Sequence, residues 1–202
     1  WFAARSTPAE PYVVPGGAGG GPIITIASIN TAKVASVEIM AKEIEAHPAI
    51  RGADILFLQE VVRPASGQLS TGELLARRLG RDAVFAATDG GETSTGLAIL
   101  ASKPLRDTRV RLLKNVNLVF PTRKRLALVA TADTKAGAVR VINTHLDTRI
   151  NPKERLEQLG PALEEARAFA GPVIIGADFN TNDMQCGSPL VPVPYRGRQA
   201  KA

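Results

Sequence analysis

The chain has 202 residues, of which 45% are hydrophobic and 4% aromatic, and its formal net charge is +6. This is a globular composition with length enough for one core, which excludes a disordered chain and offers few rings for stacking nucleic-acid bases. The single cysteine, Cys186, rules out an internal disulfide and an all-cysteine metal site, and no apolar run reaches the ~18 residues needed to span a membrane.

Residues 1–21 read as a Pro/Gly-rich leader or tether, ahead of one domain over 22–202. The start at Trp1 suits a processed or trimmed product, which leaves the bacterial cytoplasm and export both open as locations. IITIASIN (23–30) is a strand ending at Asn30. Val34, Val37, Met40 and Ile44 share one helix face over 34–47, with Pro48 just past its end. ADILFLQEV (53–61) is a second strand and delivers Gln59 and Glu60. Ser70 and Glu73 form a capping box for a helix that Gly80 stops. Residues 82–88 and 95–102 form a strand pair, and so do 109–119 and 125–134. AGAVRVINTHLD (136–147) is a strand ending at a histidine and an acid. Asn151, Pro152 and Glu154 announce a helix to about Phe169, which Gly160–Pro161 should kink or break. PVIIGADFN (172–180) is the last clear strand, and the proline-rich remainder lacks a strand period. This order predicts an α/β protein with two packed sheets and helices on the outer faces.

Four apolar strands end in the same kind of polar residue. These are Asn30, Glu60, the Asn143–His145–Asp147 set and Asp178–Asn180. Strand ends on one rim of a sheet bring such side chains together. A hard cation such as magnesium or manganese takes oxygen ligands. Glu60 supplies the charged one, with Asn30 and Asp178 helping directly or through waters. His145 and the Asn180 amide can donate to a phosphate oxygen. Asp178 and Asn180 fall on one side of an extended chain, with Phe179 turned into the core. Taken singly, Asp178–Asn180 reads as a turn, Asn30 as a helix cap, Glu60 as solvated surface and Asp147 as a surface turn, a residue that orients His145, or a support behind the contacting residues.

The ordered set SIN (28–30), DILFLQEV (54–61), GLAILAS (96–102), NTHLDTR (143–149) with RLEQL (155–159), and GADFNT (176–181) resembles the endonuclease/exonuclease/phosphatase superfamily over residues 23 to about 182. The resemblance implies a four-layered α/β-sandwich and metal-dependent hydrolysis of phosphoesters with Mg2+ or Mn2+. It implies that Glu60 holds the metal, that Asn30 assists metal or phosphate, and that His145 contacts the scissile phosphate. Asp178 then orients or activates the attacking water, and Asn180 steadies the phosphate and the nucleophile. Arg125, in the basic group Arg123–Lys124–Arg125, stands where relatives often place an arginine near the substrate.

Members of that superfamily also carry a Ser-Asp-His-type motif downstream of the DFN strand. Here only 22 residues follow Asn180, and the two histidines are His47 and His145. The domain is therefore expected to be C-terminally incomplete, to hydrolyse weakly or not at all, and to keep some metal or phosphate affinity. The alternative is a non-catalytic protein that binds nucleic acid or anionic lipid on the same scaffold. The THLDTR…R..QL pattern is more similar to the broad bacterial hydrolases of the superfamily, whose substrates include nucleic acid and phospholipid headgroups, than to the abasic-site enzymes. An open sheet edge would permit oligomers.

Overall fold

The computed structural model describes residues 23–65, 67–88, 93–116, 124–148 and 150–181, and the backbone of 184–188 and 191–194. The expected leader, 1–21, and Arg123 lie outside these residues. Two four-stranded mixed sheets carry the fold. The first contains β1 (Ile26–Asn30), β2 (Ile55–Arg63), β3 (Asp82–Ala87) and β4 (Ser94–Ala101), in the order β1-β2-β4-β3. The second contains β5 (Leu105–Leu112), β6 (Leu126–Thr134), β7 (Gly137–His145) and β8 (Val173–Asp178), in the order β5-β6-β7-β8. Each sheet has one parallel pair, β1 with β2 and β7 with β8, joined by helical crossovers. These are α1 (Val37–Ala46) with the short α2 (Pro48–Arg51), and α4 (Pro152–Arg167). The remaining helix, α3 (Thr71–Leu79), joins β2 to β3.

Side-chain alternation along the strands builds three apolar layers. Ile55, Phe57, Leu97 and Ile99 of the first sheet meet Leu126, Leu128, Val139 and Val141 of the second, so the sheets pack face to face. On the outer side Leu56, Leu58 and Leu100 meet Met40 and Ile44 of α1 and Leu75 of α3. Val129 and Ile142 meet Ala162 of α4 on the opposite side. The result is the expected four-layered α/β-sandwich. Gly176 is needed between the sheets, since a Cβ there would run into the Phe57 ring.

Pro48 lies just past the end of α1, as expected, and opens α2, because a proline at the first helical position loses no backbone bond. Three local expectations are corrected. The strand expected at 109–119 begins at Leu105, whose N–H donates to Asp82 (2.7 Å), and ends at Leu112. Helix α4 runs unbroken through Pro161, with Gln158, Ala162 and Glu165 buried on its inner face. A proline there forgoes one helical hydrogen bond, and side-chain burial on both sides of it offsets the loss. Beyond Asp178 the chain forms a separate two-stranded hairpin, β9 (Met184–Ser188) with β10 (Val191–Pro194). It joins neither main sheet, in keeping with its prolines.

Edge strand β5 carries Arg106, Arg109 and Arg111, two of which pair with Glu165 on α4. Charges on an edge blunt strand pairing with another chain. Among the described residues no helix is long and apolar enough to cross a membrane.

Candidate active site

The two parallel strand pairs end on one rim of the sandwich, and their last residues meet there. Asn30 closes β1, His145 closes β7 and Asp178 closes β8. The Asn30 amide donates from Nδ2 to Asp178 Oδ2 at 2.8 Å, across 148 positions of sequence. His145 Nε2 faces the same oxygen at 3.6 Å. That gap is too long for a good direct hydrogen bond. A single water or phosphate oxygen can nevertheless lie within reach of both atoms.

The other carboxylate oxygen of Asp178 accepts the backbone N–H of Asn180 at 3.0 Å. The turn reading of Asp178 and the site reading therefore describe two oxygens of one side chain. Asn180 does not continue the strand. Its φ is +50°, a left-handed conformation that Asn tolerates, and its Nδ2 donates to the Leu146 carbonyl at 2.7 Å. It ties the turn after β8 to the turn after β7. Phe179 packs into the apolar layer beneath α4, as the alternation implies.

Glu60 reaches this rim through an irregularity. Leu58 pairs with Ala98 but Val61 pairs with Gly96, so Gln59 and Glu60 together oppose Leu97. Leu58 and Val61 both face the helical layer, and unbroken alternation would turn Glu60 toward the helices as well. The bulge, with Glu60 at φ +54°, re-aims it. Glu60 then lines a cleft of about 220 Å³ with Lys33, Thr95, Arg125 and His145. Among the described residues its carboxylate has no hydrogen-bond or ion-pair partner.

A buried pair of amides fixes the bulge. Gln59 (1% exposed) donates to Ser28 Oγ at 3.1 Å and to Asn143 Oδ1 at 2.8 Å. Asn143 (0% exposed) returns Nδ2 to the carbonyls of Leu58 at 2.9 Å and Ala98 at 2.8 Å. These are the carbonyls beside the break in the β2–β4 ladder. The two amides join the sheets directly beneath Asn30 and Glu60.

Arg125 donates from Nε to Asp147 at 2.7 Å. Asp147 is 3% exposed, so it is not a surface turn; among the described residues it makes no hydrogen bond to His145, on which it acts through its charge, and it stands behind the site holding Arg125. Gln158 of α4 holds its other oxygen at 2.8 Å and accepts its backbone N–H at 2.9 Å. Sequence reasoning gave Gln158 no role and read Asn143 as a rim residue rather than the buried brace of the bulge. Only the pairing of Gln59 and Asn143 left a signal, as amides placed inside apolar runs.

Burial first, and the Arg125 guanidinium second, hold the His145 imidazole below its ordinary range, against the pull of Asp178, Glu60 and Asp147. The neutral ring therefore persists to lower pH than a free histidine near 6.5. Its share of stability is present above that ordinary value and is lost as pH falls through the lowered one. Proton NMR of the chelator-treated protein is expected to show His145 titrating below a histidine in a short peptide. A midpoint at or above the peptide's would contradict the burial described.

The pattern of the Endonuclease/Exonuclease/phosphatase family matches residues 27–186. The chain belongs to this family. Solved structures agree on the fold. A functionally unknown conserved protein from Enterococcus faecalis V583 superposes with a TM-score of 0.59 at 23% identity, over 78% of this chain and 67% of that one. Humanized D. rerio TDP2 gives 0.55 at 19%, over 79% and 63%. ANGEL2, described as a 2',3'-cyclic phosphatase, gives 0.54 at 26%, over 70% and 42%. The chain thus spans less than two thirds of the length of TDP2 and of ANGEL2. Comparison with curated protein sequences gives no match.

Members of the endonuclease/exonuclease/phosphatase family generally use divalent metal ions. Among the described residues no three His, Cys, Asp or Glu side chains converge into a metal cage. Asn30 Oδ1 accepts the Ala32 N–H at 2.9 Å, and both Asp178 oxygens face protein donors. One partnerless carboxylate beside these groups fits a hard cation that keeps several waters and shares the rest of its shell with substrate oxygens. Magnesium binds in that way.

Proposed function

We propose that this domain is a metal-dependent hydrolase of phosphoester bonds. The observation that carries the reading is the meeting of Asn30, His145 and Asp178 beside the partnerless carboxylate of Glu60. Glu60 would hold Mg2+ or Mn2+, with Asn30 and Asp178 reaching it through waters. Bound there, the ion supplies charge neutralisation for the phosphate oxygens and a Lewis acid. Asp178 Oδ2, oriented by Asn30, accepts the proton of a water at the rim; the water oxygen bonds to phosphorus as the P–O ester bond breaks, and the departing alkoxide leaves as the alcohol with a proton from solvent. His145, neutral and buried, donates to a non-bridging phosphate oxygen, where charge grows as the water attacks. Arg125, steadied by Asp147 and Gln158, presents its remaining N–H groups to the same oxygens. Asn180 holds the β7 and β8 turns in register. The substrate is a phosphodiester or a phosphomonoester, and nucleic acid or a phospholipid headgroup would provide either.

The test compares wild type and Glu60→Ala at equal folded concentration, with p-nitrophenyl phosphate and bis(p-nitrophenyl) phosphate, in Mg2+, Mn2+ and EDTA. Metal-stimulated turnover that falls on the order of 100-fold or more in the variant is expected. Turnover indifferent to EDTA and to the substitution would refute the reading. Binding of DNA or anionic vesicles without turnover, unaffected by EDTA, would support a non-catalytic binding protein instead.

A further inference from the structure

The turn after β1 is built in an unusual way. Ala32 and Lys33 have φ values of +48° and +60°, and the Val34 N–H closes the turn on the Thr31 carbonyl at 2.9 Å. Two successive left-handed residues are the pattern of a type I′ turn, where Gly and Asn are the usual occupants. Neither Ala nor Lys favours that conformation, so the surroundings must impose it. They do so with groups of the site itself. Asn30 Oδ1 accepts the Ala32 N–H at 2.9 Å, and Thr31 donates both N–H and Oγ1 to the Gln59 carbonyl, each at 2.9 Å. Backbone strain of this kind is retained where it places a functional group. Here it places Lys33 on the lining of the cleft, together with Glu60, Arg125 and His145.

The charges in that cleft single Lys33 out. Arg125 is paired with Asp147. His145 faces the carboxylate of Asp178 at 3.6 Å. Glu60 is an acid, whose charge a divalent cation would offset. Lys33 is the cation of the cleft lining that, among the described residues, has no acidic partner. We infer that Lys33 is a substrate-binding residue that holds an ionised phosphate oxygen and makes the cleft prefer a dianionic phosphate group, as in a monoester or a terminal phosphate, over the monoanion of a diester. Its three N–H donors and full charge meet the extra ionised oxygen, which Arg125 has less free charge to meet. The cleft, at about 220 Å³, is large enough to admit a phosphate group.

This inference rests on the hydrolase reading for its location, and the two can fail separately. Binding of inorganic phosphate is measured by calorimetry in Mg2+ for wild type, Lys33→Gln, Lys33→Arg and Lys103→Gln. The last removes the same charge at the opposite end of the sandwich. Steady-state kinetics on the monoester and the diester follow. Lys33→Gln is expected to weaken phosphate binding roughly tenfold or more, since a charge-assisted hydrogen bond is lost. It should also raise KM for the monoester more than for the diester. Lys33→Arg should keep most of the affinity, and Lys103→Gln all of it. Equal phosphate affinity in wild type and Lys33→Gln, or equal losses on the two esters, would overturn the inference and leave the hydrolase reading standing. Lys33-dependent phosphate binding without any turnover would support the anion site while refuting the hydrolase. A wild type that neither binds phosphate nor turns over would remove both.

Discussion

Replacing Asn143 with Ala is expected to cost roughly 3–5 kcal/mol of folding stability, a fall of about 10 °C or more in Tm. The side chain is fully buried and makes three hydrogen bonds, two to the carbonyls of Leu58 and Ala98 and one from Gln59. The substitution strands all three partners in the space between the sheets. Each buried polar group left unpaired costs about 1–3 kcal/mol, and a void of several atoms adds to the loss. The larger consequence is functional. With the Leu58 carbonyl released, the β2 bulge that aims Glu60 loses its brace. Divalent-cation affinity should then fall about 10–100-fold, the usual range for groups that orient a metal ligand. Denaturant titration gives the first number, and Mn2+ binding followed by paramagnetic relaxation gives the second. A loss below about 1 kcal/mol with unchanged Mn2+ affinity would show that the bulge holds without the amide pair.

That brace also marks the boundary of what the amino-acid order revealed. The sandwich was legible because strands and helices follow their apolar periods, and because caps such as Ser70 with Glu73 are local. The rim residues were legible by type, since Asn30, His145 and Asp178 each end an apolar run. How Glu60 turns was not. Period-two alternation sends it toward α1 and α3, and the bulge that reverses this is fixed by Asn143, 83 positions away in sequence. The conformation of Asn180 was not legible either. It lines one pocket with Asp178 and Asn30, but its φ of +50° turns the amide onto the Leu146 carbonyl. Lys33 gave no signal at all, because Ala–Lys is not a sequence that announces a left-handed turn. Asp147 was read with His145 because they are near in sequence, yet Arg125 and Gln158 claim it. Local chemistry could be read. Positions set by long-range hydrogen bonds to backbone could not.

Asp178→Asn is expected to lower kcat/KM by roughly 10²–10⁴-fold, because the amide cannot take a proton from water. The chain around it makes the exchange worse than the loss of a base. In the wild type, Asp178 Oδ2 accepts from Asn30 Nδ2 at 2.8 Å, and Oδ1 accepts from the Asn180 N–H at 3.0 Å. Both neighbours are donors. An amide has one acceptor oxygen, so either way round its NH₂ group confronts a donor. One of the two contacts must open, at about 1–3 kcal/mol. If the Asn180 contact opens, the turn after β8 loosens. If the Asn30 contact opens, the Asn30 amide swings, and the Ala32 N–H that rests on it loses its hold. The second route is coupled to the cleft. Asn30→Ala in the Asp178→Asn background removes the clashing donor and should recover much of the stability without recovering rate. Denaturation midpoints and kcat/KM for the two single variants and the double variant, taken as a thermodynamic cycle, decide the matter. Additive stability losses would show that Asn30 and Asp178 do not share the proposed contact. Full activity in Asp178→Asn would remove this carboxylate from the chemistry altogether.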